Sequence, residues 1–578
     1  MKKKLFNYLT IIIVAAVCTV VPSGCKNALD LEPLDRVSDA TYWKDANEFK
    51  LAASAFYGYL RTFGNGNGDG HTGSDLGPDR GTIARGTNTI VSNDDNYNNA
   101  YKWIRNINYL LAKAKDFKSP DQIKISVAEA KFFRAYVYFD KLLTSYGGVI
   151  LVKDVLTTES AELKAARNTR DETIDFIIGD LEAAIADLPV ESEIAAADKG
   201  RISKGAAEAF LGRVCLYEGT WQKFRSGNAT RYNALLDKAI SNNNAVITSN
   251  QYSLFKPAVL GDSALKYLFI LENQKSNPAG ITKSSNQEYI LGVRYESNNL
   301  LKTIPNQISF SSLGGDASRV MADMYLCNDG LPIDKTTLPF SRATLTSEYK
   351  NREHRMRYFM MIPGLPYWQN AVNYHINWDW SAADLAIARI HNAWNGDVTG
   401  YSNQYWSAER QVPNGQEGWD YPVIRLAEVY LNYAEALFER NGDISDVDLD
   451  KSLNLVRNRV NVSMPKLSNA LAKAHNLDMQ QEIRRERTVE LQAENFRMDD
   501  LKRWYIAHIE LAKVSLGVRW KGTEFETKYP DSPPPLTADG DVIADPVTER
   551  KFSAKNYLIP LPTNQLQLNP NLVQNPGW

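Results

Sequence analysis

Residues 129–140 read EAKFFRAYVYFD and residues 146–149 read YGGV, and this stretch decides the fold class. Its apolar and aromatic residues recur at the three- and four-residue spacing of a helix, and the pattern extends back to Asp121. Gly147 and Gly148 end it, as glycines commonly end helices. The pattern therefore predicts one long helix from Asp121 to Tyr146 in a mostly helical protein.

Helical spacing continues on both sides of this stretch. We predict further helices over 46–63, 101–117, 171–188, 203–217 and 233–249, and then over 424–440, 450–460, 479–494 and 498–514. Small residues at Ala206, Ala207, Ala434 and Ala436 make the helix pairs look like degenerate tetratricopeptide hairpins, although no strict repeat of about 34 residues is present. Residues about 40–250 and 420–516 are expected to pack together as one helical body.

The region between these halves, residues about 251–420, has few long helical patterns. Residues 288–295 predict a strand, and the rest is rich in Gly, Asn, Pro and aromatic residues. Loop-rich insertions on a rigid frame commonly carry binding residues, so we expect the ligand-binding face here. The C-terminal tail, 555–578, contains several Leu and Pro residues. Because apolar side chains are more stable when they are buried, we expect the tail to pack on the helical body.

The N-terminus is predicted to be a secretory signal over residues 1–24. Three lysines at positions 2–4 precede an apolar run from Leu5 to Val21, which is shorter than the 20 or so residues of a membrane span. Ser23 and Gly24 then precede Cys25, and this pattern is similar to the lipobox of bacterial lipoproteins. The resemblance implies that Cys25 becomes the acylated N-terminus. An ordinary cleaved signal with a spare cysteine is the alternative.

Charge gives no support for nucleic acid as a partner. The formal net charge is −2, and removal of a signal that carries three lysines and no acidic residue brings it to −5. Basic patches that bind phosphate backbones need the opposite balance. Of the remaining cysteines, Cys215 lies in a helical segment and is expected to be a buried thiol. A Cys215–Cys327 disulfide and two separate thiols are both consistent with an exported chain.

Four motifs in order are similar to those of the SusD/RagB family. They are residues 129–140 with 146–149, RLAEVYLNYAEA at 425–436, IRRER at 483–487 with EL at 490–491 and DLKRW at 500–504, and YLIPLP at 557–562 with LNPNLVQNPG at 568–577. Residues 328–332 and 399–401 also fit the middle of the family. The chain departs at 492–497, where QAENFR stands in place of the family's common AFEGHR. The resemblance runs from Cys25 to Trp578.

The resemblance implies a SusD-like domain over 25–578, with tetratricopeptide-like helix pairs that support a loop-rich, aromatic-rich ligand face. Family members are outer-membrane lipoproteins that face the cell exterior, bind oligosaccharides and deliver them to a SusC-type TonB-dependent transporter. The implied role is binding without catalysis and without a cofactor. The ligand-binding loops are the family's least similar part, so a peptide or glycopeptide ligand stays open. A pure protein-interaction scaffold is a third class, suggested by the helix hairpins alone.

Six of the twelve tryptophans lie within residues 368–419. They are Trp368, Trp378, Trp380, Trp394, Trp406 and Trp419. The C–H face of a sugar ring stacks on an aromatic face, so we take the first five, with Tyr401, as candidate ligand contacts. The alternative is that these rings fill a core under long loops, because large aromatics also dominate cores. The segment lacks helical or strand periodicity, so we expect at least two of the six to be accessible on one side of the molecule.

A second polar segment, Gly64–Asn99, is expected to lie beside the tryptophan-rich loops. In the family, the loop after the first helix contributes to the glycan site. By that resemblance, Asp79, Arg80, Asn96 and Tyr97 are additional candidates. Residues 65–70 imitate the start of an EF-hand loop, but the twelfth position is Leu76 in place of Glu, which argues against calcium.

The enzyme alternative, a surface glycosidase, rests on Glu486, Glu490 and Glu494, which lie one helical turn apart. Glycosidases need two carboxyls about 5 to 9 Å apart, one with a raised pKa. Four arginines nearby, at 484, 485, 487 and 497, are expected to lower the pKa of these carboxyls. We therefore predict a structural ion-pair network. The sequence has no HExxH zinc motif, GxSxG, Walker or dinucleotide motif.

Overall fold

The computed structural model describes residues 42–63, 73–78, 80–297, 303–304, 316–344, 346–360, 362, 399–406, 416–528, 530–531 and 533–578, and the backbone of 367–369 and 374–376. Cys25 and the predicted signal lie outside these residues. Among the described helices, none combines the length and apolar character needed to cross a membrane.

Helices form most of the described chain. The N-terminal half contains α1 (Ala46–Ala55), α2 (Thr82–Arg85), α3 (Asp95–Lys115), α4 (Pro120–Val137), α5 (Thr144–Tyr146), α6 (Arg170–Asp187), α7 (Lys204–Lys223) and α8 (Ala229–Thr248). The middle contains α9 (Ala264–Leu268), α10 (Arg319–Met324) and α11 (His354–Phe359). The C-terminal part contains α12 (Leu426–Asn441), α13 (Asp446–Asp450), α14 (Leu453–Arg457), α15 (Asn469–His475), α16 (Met479–Glu490), α17 (Arg497–Arg503), α18 (Ala507–Glu510), α19 (Glu524–Lys528) and α20 (Thr563–Leu568).

The strands are short and pair in four antiparallel ribbons. They are β1 (Tyr289–Val293), β2 (Asp316–Ala317), β3 (Tyr367–Gln369), β4 (Tyr374–Ile376), β5 (Tyr401–Ser402), β6 (Tyr421–Arg425), β7 (Ser515–Arg519) and β8 (Asp541–Asp545). The pairs are β1 with β6, β2 with β5, β3 with β4, and β7 with β8. The predicted strand at 288–295 is β1, and its partner β6 leads directly into α12.

The decisive stretch folds as predicted, into continuous helix from Pro120 to Tyr146. A π-helical segment, Tyr138–Leu143, joins α4 to α5. Gly147 follows with φ of 80°, a conformation that glycine adopts at low cost. Ser203 is the N-cap of α7, because its Oγ accepts the Ala206 amide at 3.2 Å.

The predicted helix over 498–514 is wrong in its second half. Tyr505 takes φ of 59°, in the left-handed region, and breaks the helix between α17 and α18. The chain then turns into β7. Of the predicted helix over 450–460, only Leu453–Arg457 forms a helix, α14. Ser452, with φ of −138° and ψ of −97°, separates it from α13, which ends at Asp450.

The two helical segments form one body. One core cluster contains Phe132 and Phe210 from the N-terminal half and Val429 from α12. Ion pairs join α7 to α12, with Arg213 Nε 2.6 Å from Glu428 Oε1 and Lys223 Nζ 2.7 Å from Glu439 Oε2. These partners lie on facing sides of the two helices, so each half covers the apolar face of the other.

The C-terminal tail packs on this body, as predicted. Tyr557 and Leu561 are buried, and the Ile559 amide donates to the Ser145 carbonyl at 2.9 Å. Farther along, Asn569 Nδ2 donates to the Ala165 carbonyl at 2.8 Å. The tail thus holds the end of the long helix and the segment before α6 together.

Candidate functional site

Four buried or partly buried rings form a cluster that we call the aromatic anchor: Phe63, Tyr295, Trp406 and Tyr421. The Phe63 ring centroid lies 5.0 Å from that of Trp406 and 5.0 Å from that of Tyr421. Tyr295 packs on Phe63 with centroids 5.9 Å apart. Phe63 and Trp406 directly precede the segments 64–72 and 407–415, and Tyr295 lies three residues before 298–302. Three segments outside the described residues therefore start from one cluster.

A second buried cluster, which we call the strand anchor, contains Leu76, Ala317, Met360 and Tyr401. The Ser318 amide donates to the Leu76 carbonyl at 2.7 Å, and Ala317 pairs with Tyr401 across β2 and β5. These residues border segments 64–72, 305–315 and 363–398. The strand anchor therefore contains described residues close in the chain to both the polar segment and the tryptophan-rich segment.

The two anchors adjoin through two adjacent residues of the chain. Phe359 packs on Tyr405, with ring centroids 4.3 Å apart, and belongs to the same core as the aromatic anchor. Met360 belongs to the strand anchor and forms a β-bridge with Asn403. The described residues that border segments 64–72, 363–398 and 407–415 thus lie in two adjoining clusters.

Two of the candidate contacts are buried and cannot offer an open ring face. Trp406 is 1% exposed and packs on Phe63, Phe269, Tyr405 and Tyr421. Tyr401 is fully buried, and its hydroxyl donates to Glu348 Oε2 at 2.8 Å. Trp419, the sixth tryptophan of the group, is also buried. Trp406 and Tyr401 are therefore core residues, as is Trp419. The expectation that at least two of the six tryptophans are accessible stays a prediction, because the other four side chains lie outside the described residues.

The structure describes three of the four candidates from the Gly64–Asn99 segment, one buried and two exposed. Tyr97 is buried on α3 between the rings of Tyr101 and Tyr146, so it is a core residue. Arg80 is exposed and donates from Nη2 to the Ala544 carbonyl at 2.7 Å. Asn96 is exposed and donates from Nδ2 to the Lys141 carbonyl at 3.0 Å. Their anchoring carbonyls lie on different elements, β8 and the π-helical segment.

The remaining candidates lie mostly outside the described residues. These are Asp79, Trp378, Trp380 and Trp394, together with the EF-hand-like segment 65–70. Trp368 lies at the middle of β3, where the backbone pairs it with His375 of β4. The three other candidate tryptophans follow β4 in the chain. These positions stay predictions.

The three glutamates on and after α16 form a buried ion-pair network, as predicted. Glu490 lies 2.7 Å from Arg425 and 3.1 Å from Arg355, and it also pairs with Arg459. Glu486 lies 2.7 Å from Arg355, and Glu494 lies 2.7 Å from Arg425. The partners come from distant parts of the chain, and not from the flanking arginines that the sequence suggested.

The predicted lowering of pKa holds for only one of the three carboxyls. Burial would raise the pKa of Glu490, but Arg459, Arg425 and Arg355 outweigh it and lower the value to about 2. Burial raises the pKa of Glu486 and Glu494, and their arginine partners offset only part of that rise. All three side chains are at most 3% exposed, so a sugar cannot reach them.

This network also binds Tyr405, the residue that precedes Trp406 of the aromatic anchor. The Tyr405 hydroxyl donates to Glu494 Oε1 at 3.0 Å, next to Trp406 in the aromatic anchor. Arg425, at the end of β6, donates to the same carboxylate from Nε and Nη2. Among the described residues, no group of three His, Cys, Asp or Glu side chains is arranged to hold a metal ion. Cys215 and Cys327 are both buried free thiols, which resolves the disulfide alternative.

Comparison with known proteins places this architecture in a family. A sequence model described as the SusD family matches residues 270–578. The chain belongs to the SusD family. A second family model, described as "starch-binding associating with outer membrane", matches residues 79–216. These two matches include the long helix, α12, α16 and the tail, on which the sequence motifs lie.

The similar proteins have low sequence identity to this chain. The SusD-like protein P38 of Formosa agariphila is 24% identical over 259 residues, which is 43% of this chain and 48% of that protein, so the match spans about half of the relative. A SusD-like carbohydrate-binding protein of Bacteroides fragilis, whose structure is solved, is 23% identical in sequence. The structural match covers 92% of this SusD family chain and 100% of that protein's chain, with a TM-score of 0.70. A laminarin-binding SusD-like protein is 20% identical, covers 93% and 100%, and gives a TM-score of 0.55.

Proposed function

We propose that this SusD family chain is a cell-surface lipoprotein that binds an oligosaccharide and delivers it to a SusC-type TonB-dependent transporter. The observation that carries the proposal is that the two anchors adjoin. Described residues of these anchors border both the polar segment 64–72 and the tryptophan-rich segment 363–398. The sequences of these two segments contain aromatic and amide side chains, which is the combination that sugar recognition needs.

The descriptions of related proteins support a glycan as the ligand class. One family model that matches this chain is described as starch-binding, and one protein of the same fold is described as laminarin-binding. The near-neutral charge of the predicted mature chain, −5 by formal count, suits a neutral ligand. We propose no cofactor, and nucleic acid is not a proposed partner.

We propose binding without hydrolysis. The glutamates that a glycosidase would need are buried in ion pairs, so the one carboxylate cluster that the sequence offered for catalysis faces the core. A ligand recovered intact after long incubation with the chain supports this part of the proposal. Release of reducing ends would contradict it.

The proposed location is the outer membrane, by a lipid on Cys25, with the body outside the cell. Support comes from the lipobox-like Ser23-Gly24-Cys25 and from the outer-membrane association in the family description. Surface exposure can be measured by protease treatment of intact cells. Protection of the chain in intact cells, followed by cleavage after lysis, would contradict an exterior location.

The test of function is an affinity screen with purified chain from Cys25 onward, with a Ser at position 25. The panel holds soluble polysaccharides, including laminarin and starch, and a set of peptides and glycopeptides. Retention by one or more polysaccharides is the expected result. If the chain binds only peptides from the panel, the ligand is a peptide and the glycan proposal is wrong. Transporter delivery is tested separately, by co-purification of a SusC-type barrel with the tagged chain from native membranes.

A further inference from the structure

A stack of three aromatic rings, Phe56, Tyr59 and Trp103, extends from the core to the surface. Phe56 is 3% exposed and stacks on Tyr59, with centroids 5.6 Å apart and planes at 25°. Tyr59 in turn stacks on Trp103 of α3, with centroids 4.6 Å apart and planes at 13°. Tyr59 and Trp103 are partly exposed, so the stack ends at the solvent. A ring that is backed by two others is held rigidly in place, which reduces the entropy lost when a ligand binds.

Two amides lie next to the outermost ring. Asn99, Trp103 and Asn106 are spaced by four and three residues on α3, so they share one face of the helix. Asn99 and Asn106 are exposed, and within the described part of the chain the Asn99 side chain makes no hydrogen bond. Asn106 Nδ2 donates to the Tyr59 hydroxyl at 3.1 Å, which orients both groups. The Asn106 carbonyl oxygen stays available as an acceptor.

The surface beside the stack is open. Gly58 is exposed and precedes Tyr59, and a Cβ placed on it would meet no atom within 4 Å. The Tyr59 hydroxyl keeps its proton at neutral pH and can donate it, because its ordinary pKa of 10.0 is already high and burial raises it further. An aromatic ring, two amides and a phenol hydroxyl are therefore presented together at an accessible surface.

We infer that Trp103, Tyr59, Asn99 and Asn106 form a second glycan contact, which takes one pyranose unit of the oligosaccharide that the chain is proposed to bind. The inference rests on the proposed function. Tyr59 and Phe63 are four residues apart, so their Cα atoms are at most about 14 Å apart. Phe63 packs on Trp406 of the aromatic anchor and directly precedes segment 64–72, so the second contact lies near the start of a segment that the proposed function uses.

The test compares short and long oligomers of whichever polysaccharide the wild-type chain retains from the laminarin and starch panel. Binding is measured by calorimetric titration on wild type, Trp103→Ala and Asn99→Ala. Trp103→Ala is expected to weaken the long oligomer about fivefold, from the usual value of one aromatic contact, and to leave the short oligomer unchanged. Asn99→Ala is expected to weaken it about threefold, through one lost hydrogen bond. Trp578→Ala is the control, since this partly exposed indole donates to the Leu558 carbonyl at 3.0 Å, away from the stack.

The outcomes separate this inference from the proposed function. If the wild type retains no polysaccharide, both fail. If the wild type binds and both Trp103→Ala and Asn99→Ala bind the long oligomer as tightly as it does, the second contact is overturned while the proposed function stands. Asn99→Ala keeps the test open if Trp103→Ala does not fold, because Asn99 is exposed and supports no packing.

Discussion

The ring of Phe63 meets the ring of Trp406 edge to face, with centroids 5.0 Å apart and planes at 88°. These two residues are 343 positions apart in the chain. Phe63 directly precedes segment 64–72, and Trp406 directly precedes segment 407–415. The contact explains why a tryptophan from the tryptophan-rich region is buried. Trp406 packs on Phe63, which lies shortly after the first helix of the chain.

Replacement of Trp406 by Ala should unfold or strongly destabilise the chain. Removal of a large buried aromatic leaves a cavity and costs about 3 to 5 kcal/mol in the free energy of unfolding. Urea unfolding followed by circular dichroism measures it, with Trp578→Ala as the partly exposed comparison. If Trp406→Ala has normal stability but weaker glycan affinity, Trp406 contacts the ligand and is not a structural core residue.

Arg425→Ala should be the most damaging change in the ion-pair network. It leaves Glu490 and Glu494 buried with one fewer cation, and breaking a buried pair costs about 3 to 5 kcal/mol. The control is Arg440→Ala, which removes an exposed pair with Asp237 and should cost less than about 1 kcal/mol. Equal unfolding free energies for the two variants would show that the network contributes little.

Glu490 should make stability depend on pH in the acidic range. Its pKa in the folded chain, about 2, lies below its ordinary value of 4.5. The carboxylate therefore contributes its full stabilisation above about pH 4.5, and this contribution is lost as the pH falls toward 2. The shift corresponds to about 3 kcal/mol. Burial raises the pKa of Glu486 and Glu494, which act in the opposite direction, so wild type alone does not isolate Glu490.

The measurement is therefore a difference. The unfolding free energies of wild type and Glu490→Gln are compared from neutral pH to pH 2. The deficit of the variant should shrink as the pH falls through this range. Glu193→Gln, at an exposed position, is the control and should stay close to wild type throughout. A Glu490→Gln deficit that stays constant with pH would contradict the assigned pKa.

Cys25→Ala should release the chain from the outer membrane. The prediction follows from the lipobox-like Ser23-Gly24-Cys25, and several acyl chains hold a protein stably where one does not. Cys18→Ala is the matched control, because Cys18 lies within the signal that is expected to be removed. Fractionation is done in cells that lack the transporter, so that protein contacts cannot retain the chain. Unchanged retention of Cys25→Ala there would contradict the anchor.

Sequence periodicity predicted the helical body well, because each helix carries an apolar face that repeats locally. It failed where a single backbone conformation decides the outcome, as at Tyr505, since nothing in the local pattern signals a left-handed residue. For the site, the sequence located the region but not the role of each ring. Trp406 and Tyr401 are buried by contacts with Phe63 and Glu348, which lie far away in the chain. The arginine partners of Glu490 were missed for the same reason.

The most direct test of the central claim is a calorimetric titration of the polysaccharide that the wild type retains against the double variant Trp378→Ala/Trp380→Ala. We expect an affinity about thirtyfold weaker, from two lost stacking contacts of about 1 kcal/mol each, with an unchanged urea unfolding curve. The same affinity as wild type in a folded double variant would show that these rings do not bind the sugar. Unfolding of the double variant would also contradict the proposed contacts, because these rings would then belong to the core.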